Sequence, residues 1–197
     1  MKKNIAFAFA LVLLAAAAAP AYAYTLLSPT RRWKNTPISV VVNRTGNDSI
    51  TDSDKGVTAV AGAIKAWGII SSSTSNAPAV RGQAPVTISL HDNGHLCNGS
   101  CLAATLTGYY HQEGSAYYID DADIYTNTRF DFTSSREGDG CSGEYDIDGI
   151  MTHEVGHVIG LGHSSVTGAT MYPSVGACDF GPRTLSSDDT AGKNALY

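Results

Sequence analysis

With 197 residues, 13 Lys and Arg against 18 Asp and Glu, and a net charge of −5, the chain has no basic cluster for nucleic acid or anionic lipid. Only 16% of its residues are charged and 20 are Gly, a composition that suits an exported, loop-rich domain. The length is that of one ordinary domain with a real core, and no internal repeat is present.

In chain order, the first element is a processing signal. Lys2 and Lys3 precede an apolar run from Ile5 to Ala19, and Ala21-Tyr22-Ala23 has the small-x-small form of a cleavage site. A membrane anchor is the rival, but the run is short, rich in Ala and stopped by Pro20. A signal peptide of bacterial character is expected over 1–23, with 24–197 as the domain, secreted to the cell exterior or held in the periplasm. No Cys lies near the cut, which speaks against a lipoprotein, and the sequons at Asn43, Asn47 and Asn98 matter only in a eukaryotic pathway.

Ile38 to Val42, β-branched between Pro37 and Asn43, predicts a first strand. Val57, Val60, Ala61, Ile64 and Trp67 recur at helical spacing after the caps Thr51 and Ser53, predicting an amphipathic helix over 54–68 with Trp67 in the core. Ser71 to Asn76 is expected to be a short polar loop. Val86 to Leu90 and Tyr117 to Tyr125 read as strands, and Leu102 to Leu106 as a short edge strand. A helix from Asp148 to Ile159 follows, then a last one from Asp188 to Leu196, capped by Ser186 or Ser187. The order predicts an α/β (α+β) domain.

The segment from His153 to His163 reads His-Glu-Val-Gly-His-Val-Ile-Gly-Leu-Gly-His. At about 100° per residue, His153 and His157 project from one helix face, with Glu154 beside them. Gly160 permits a sharp exit that swings His163 round as a third ligand. Three imidazoles suit one catalytic zinc ion, because they leave a fourth tetrahedral position open. Glu154 then stands as general base for a zinc-bound water.

This motif, followed by Ser164 and by Ala169-Thr170-Met171-Tyr172-Pro173, resembles the metzincin metallopeptidases, and among them the matrixins. Ser164 directly after the third His is the matrixin-like choice, and Pro173 replaces the Tyr of astacin-like relatives. Leu185-Ser186-Ser187-Asp188-Asp189, Leu102-Ala103-Ala104-Thr105 and Ala122-Asp123-Ile124 are softer matches. The resemblance implies a zincin/metzincin fold: a twisted mixed sheet, a central zinc-binding helix, and an irregular C-terminal subdomain closed by a short helix. It implies zinc-dependent hydrolysis of extended polypeptides by a monomer. Met171 would form the Met-turn beneath the ligands. Substrate would add a strand at Ala103 and Ala104, and a pocket wall from Tyr172 and Pro173 to Val175 would favour an apolar residue just after the cut. No Cys precedes Cys97, so latency through a Cys-capped zinc is not expected.

All four Cys lie in the exported part, where disulfides are the default and three pairings are possible. Cys97–Cys101 and Cys141–Cys178 are preferred, as near neighbours and as a pair bracketing the zinc helix and Met-turn; a Cys₄ zinc site is the rival. His91, His95 and His111 lie where vertebrate matrixins carry a structural zinc, but position 93 is Asn and the His-x-Asp signature is missing. The first disulfide is read as replacing that staple. Asp120, Asp121 and Asp123 offer oxygen ligands for Ca²⁺, against the preferred reading as solvated strand-end residues. Two other functions compete with the endopeptidase. One is a non-catalytic secreted zinc-binding module, which would have no use for Glu154; the other is a zinc hydrolase of cell-wall peptides, against which the edge strand speaks.

Overall fold

The computed structural model describes residues 22–43, 53–75, 86–89, 96–134 and 140–197. The expected signal up to residue 21, the cap Thr51, and His91 and His95 lie outside the described residues. No helix among the described residues is long and apolar enough to cross a membrane.

The β-branched run forms a strand because every second side chain can bury. Strand β1 covers Arg31–Arg32 and β2 covers Ile38–Asn43, with Ile38, Val40 and Val42 in the core. Helix α1 (Ser53–Trp67) ends where Gly68 takes φ 72° and its N–H caps the Ile64 carbonyl at 3.0 Å. The chain then enters β3 (Ile70–Ser75), which lies parallel to β2 from Ile38↔Ile70 to Asn43↔Ser75. This corrects the expected loop over 71–76. Residues 71–74 are exposed, so main-chain pairing at the sheet's outer end, with no apolar alternation, makes the strand.

Strand β4 (Val86–Ser89) lies parallel between β2 and β6 (Ala116–Thr126), and β1 pairs with the start of β6. Strand β5 (Ala103–Glu113) runs antiparallel along the other side of β6, from Ala103↔Thr126 to Glu113↔Ala116. The sheet is therefore mixed, and β5 is its edge beside the cleft. β5 extends well beyond the expected 102–106. Gly108 and register shifts between Leu106 and Tyr110 hide the second half from an alternation test. Asp121 and Asp123 are not solvated, as expected above, but are buried at 4% and 1% exposure. The Thr87 N–H donates to Asp123 Oδ1 at 3.1 Å, while Asp120 on the opposite face meets His111 Nδ1 at 2.7 Å.

Helix α2 (Ile147–Val158) packs between α1 and β5. Trp67 is fully buried there and donates from Nε1 to the Thr152 carbonyl at 2.8 Å, so its single polar atom is satisfied in the core. The lower half has little regular structure: β7 (Phe132–Thr133) beside β8 (Tyr145–Asp146), one 3₁₀ turn at Gly181–Arg183, and α3 (Ser187–Leu196). Ser186 caps α3 in a reciprocal capping box with Asp189.

Disulfides Cys97–Cys101 and Cys141–Cys178 are formed. The second ties the approach to α2 to the stretch after Met171, where a polypeptide with so little regular structure needs a staple. In the chain-entropy picture its loop is worth about 4 kcal/mol, against about 2 for the shorter one. Replacing Cys141 and Cys178 together by Ser is expected to lower stability by roughly 2–4 kcal/mol, read from urea unfolding midpoints. A double variant as stable as the parent would contradict this.

Candidate metal centre

Three hydrogen bonds to Asp146 set the start of α2. Asp146, 1% exposed, caps it by accepting from the Gly149 N–H at 2.9 Å. Arg183 from the 3₁₀ turn forks onto the same carboxylate, Nε to Oδ2 at 2.7 Å and Nη2 to Oδ1 at 2.5 Å. The helix therefore begins one residue before the expected Asp148, with its cap locked from the lower half of the domain.

Its end is set by Gly160, at φ 107°, where the Leu161 N–H reaches back to Gly156 and the Gly160 N–H to His157, both at 3.0 Å. These are the two bonds of a Schellman cap. A Cβ at residue 160 would strike the Arg31 carbonyl, so the turn needs Gly for space as well as for φ. The N-terminal segment then fastens the departing chain, Leu27 N–H to Gly160 and Gly162 N–H to Thr25, at 3.0 and 2.9 Å. His163 follows at once.

The three expected His meet. One ring nitrogen from each of His153, His157 and His163 lies within 4.8 Å of the others. His153 Nδ1 is 2.7 Å from the Thr170 carbonyl and His157 Nδ1 is 2.8 Å from the Leu161 carbonyl. A carbonyl only accepts, so both Nδ1 atoms carry a hydrogen, and in the neutral tautomer that this selects the Nε2 atoms present bare lone pairs. Those Nε2 atoms are 3.1 Å apart and cannot bond each other. A shared cation removes that repulsion. Tetrahedral zinc, with nitrogens at about 2.0–2.1 Å, sets two ligands about 3.3 Å apart. The donor set fits zinc. Burial, with the neighbouring His153, lowers the pKa of His157 to about 4, and burial lowers that of His163, so in both rings the neutral form, the one able to bind a metal, is favoured. The other group of potential ligands among the described residues, Cys141, Glu144 and Cys178, has both sulfurs in a disulfide.

Glu154 is 6% exposed beside the His cluster. Burial pushes its carboxyl above the usual range, opposed by His153, by a hydrogen bond from Thr105 and by His163. Thr105 Oγ1 lies 2.5 Å from Glu154 Oε2. In sequence Thr105 is an ordinary strand residue, and nothing local points to this contact.

Met171 is 1% exposed and lies under α2 at Gly156, where an added Cβ would strike its Sδ and come within 2.9 Å of Trp67. The turn around it is wired to the ligands: the Thr170 carbonyl receives His153, and the Met171 carbonyl accepts from Ser164 N–H at 2.7 Å, next to His163. Gly156→Ala should overpack this contact and cost roughly 1–3 kcal/mol, read as a lower thermal midpoint. An unchanged midpoint would show that Met171 is not held against the helix.

Asp189, fully buried, pins the turn. Its carboxylate accepts from the N–H groups of Thr170 (2.8 Å), Met171 (2.9 Å) and Ser186 (2.7 Å). Asp188 accepts from Ser164 Oγ at 2.7 Å and from the Ala23 and Tyr24 N–H groups at 2.6 and 3.1 Å. The sequence offers Ser186 or Ser187 as the cap of this helix but carries no sign that Asp189 anchors the Met171 turn.

A cleft of about 690 Å³ opens over the cluster. Ala103, Ala104 and Thr105 of β5 form one wall, Tyr172, Pro173 and Val175 the other, and His153, Glu154, His157 and His163 the floor. All the expected cleft residues therefore face one space.

A profile of the matrixin peptidases matches residues 32–197. The chain is 32% identical to metalloendoproteinase 4-MMP of Arabidopsis thaliana over 54% of its own length and 28% of the plant protein. It is 30% identical to the interstitial collagenase of Sus scrofa over 84% of its length and 33% of that protein. With human matrilysin it shares 50% identity over 23% of its length and 17% of the relative. It thus spans about a third or less of these relatives. The His cluster, the wired Met171 turn and the match over nearly all of the described domain agree: the chain belongs to the matrixin family.

Proposed function

We propose that this protein is an exported zinc endopeptidase that cuts extended polypeptides before apolar residues, as a monomer. What carries the reading is the pair of bare Nε2 lone pairs, 3.1 Å apart, beside a buried carboxylate in an open cleft. His153, His157 and His163 would hold the ion. Bound zinc supplies Lewis acidity and lowers the pKa of a water to about 7. Glu154 takes a proton from the attacking water and returns it to the leaving amine, so the carboxylate is regenerated each cycle. The open edge of β5 at Ala103 and Ala104 offers main-chain N–H and C=O groups to an extended peptide, holding the scissile bond over the floor. Tyr172, Pro173 and Val175 bound the space for the side chain after the cut. The matrixin membership, and the plant metalloendoproteinase and pig interstitial collagenase among its relatives, support the same reading.

A non-catalytic zinc module is disfavoured, since it gains nothing from burying Glu154 at the ligands. The test is to incubate the zinc-loaded protein with a mixture of extended peptides and map the cuts by mass spectrometry. Cuts clustered before Leu, Ile, Met or Phe support the reading. Zinc retention with no cut in any peptide favours the module.

A further inference from the structure

Thr105 sits in the β5 ladder opposite Ile124 of β6, so the sheet fixes its place. Its hydroxyl is 2.5 Å from Glu154 Oε2 and 3.1 Å from the main-chain oxygen of the same residue. One hydroxyl thus spans the carboxylate and the backbone of Glu154, across the junction between the edge strand and α2. Its strand neighbours Ala103 and Ala104 have no polar side-chain atom that could substitute.

We propose that Thr105 is a positioning residue: it holds Oε2 of Glu154 and leaves Oε1 as the oxygen that takes the proton from water. This rests on the reading of Glu154 as general base. The hydroxyl has one proton and so donates to one acceptor at a time. Toward an ionised carboxylate the charge-assisted bond prevails, and 2.5 Å is within the range for O–H···O⁻. Should the acid proton sit on Oε2, the hydroxyl accepts it and turns its own hydrogen to the main-chain oxygen. Thr105 therefore partners both forms of the carboxyl and neither gains nor loses a proton over the cycle. Without it, a buried carboxylate faces a partner gap on one side and can rotate away from the His cluster. Precise placement matters here, because a displacement of about 1 Å at a reacting group can cost as much as about 100-fold in rate.

The test compares the whole zinc-loaded protein with Thr105→Val, which keeps the shape without the hydroxyl, and Thr105→Ser, which keeps the hydroxyl. Peptide kinetics, zinc affinity by chelator competition, thermal midpoints and crystal structures of all three are read together. Thr105→Val is expected to lose about 10- to 100-fold in kcat, with KM and zinc affinity within about twofold and the Glu154 carboxylate rotated. Thr105→Ser should return to within about threefold of the parent with Glu154 in place. A Val variant whose kcat is unchanged, or falls only together with zinc affinity and thermal midpoint, overturns the proposal, as does an unmoved Glu154 in its crystal structure. If the parent cuts no peptide, the endopeptidase reading fails, and the crystal comparison still decides what Thr105 does.

Discussion

Glu154→Ala is expected to lower kcat for peptide cleavage by about 10²–10⁴-fold while the protein keeps its zinc. The carboxylate stands beside the His cluster without being part of the converging set of ring nitrogens, so its loss removes a proton acceptor and leaves the ligands intact. The fold should tolerate the change, because the packing lost on truncation is offset in part. Burial raises the Glu154 pKa, so the ionised form is disfavoured in the folded protein and its removal relieves that cost. Thr105 loses one acceptor but retains the main-chain oxygen at 3.1 Å. Kinetics at matched zinc content check the point. A variant that cuts within tenfold of the parent would assign the base role elsewhere.

The second large effect lies under the site. Asp189→Ala is expected to destabilise the protein by about 3–5 kcal/mol, lowering the thermal midpoint by roughly 10 °C or more. The buried carboxylate satisfies three main-chain N–H groups, and deletion orphans them together, each at a cost of about 1–3 kcal/mol less whatever water recovers. Two of those donors are Thr170 and Met171, and the Thr170 carbonyl orients His153, so zinc affinity should fall as well. Thermal unfolding and chelator competition on the same preparation check both parts. A variant with the parent's midpoint would mean that the turn is held without Asp189, by its remaining hydrogen bonds and the packing of Met171.

The helices were legible because their periodicity and caps are local. Val57 to Trp67 repeats at helical spacing, and the His motif dictates both a helix and its Gly-induced end. The three His and Glu154 could be found because ligand chemistry demands those residue types at those offsets. Strand β3 escaped notice because Ser71 to Thr74 alternate no apolar residues; pairing with β2, a nonlocal fact, makes them a strand. The second half of β5 was hidden by Gly108 and a register shift. Asp121 and Asp123 read as solvated because carboxylates usually are, whereas the fold supplies Asp123 with the buried Thr87 N–H. Thr105 carried no signal at all. A Thr in a strand is ordinary, and only the crossing of β5 over α2 puts its hydroxyl on Glu154.

The zinc centre is tested by stripping the protein with a chelator, returning zinc in small steps, and reading bound zinc and peptide cleavage at each step. Tight binding of one equivalent is expected, with cleavage that rises in proportion until that equivalent is filled. Replacing His163 by Ala should weaken binding and remove the rise. Full occupancy of one site with no cleavage, or binding that survives the loss of His163 unchanged, would contradict a three-His catalytic zinc centre.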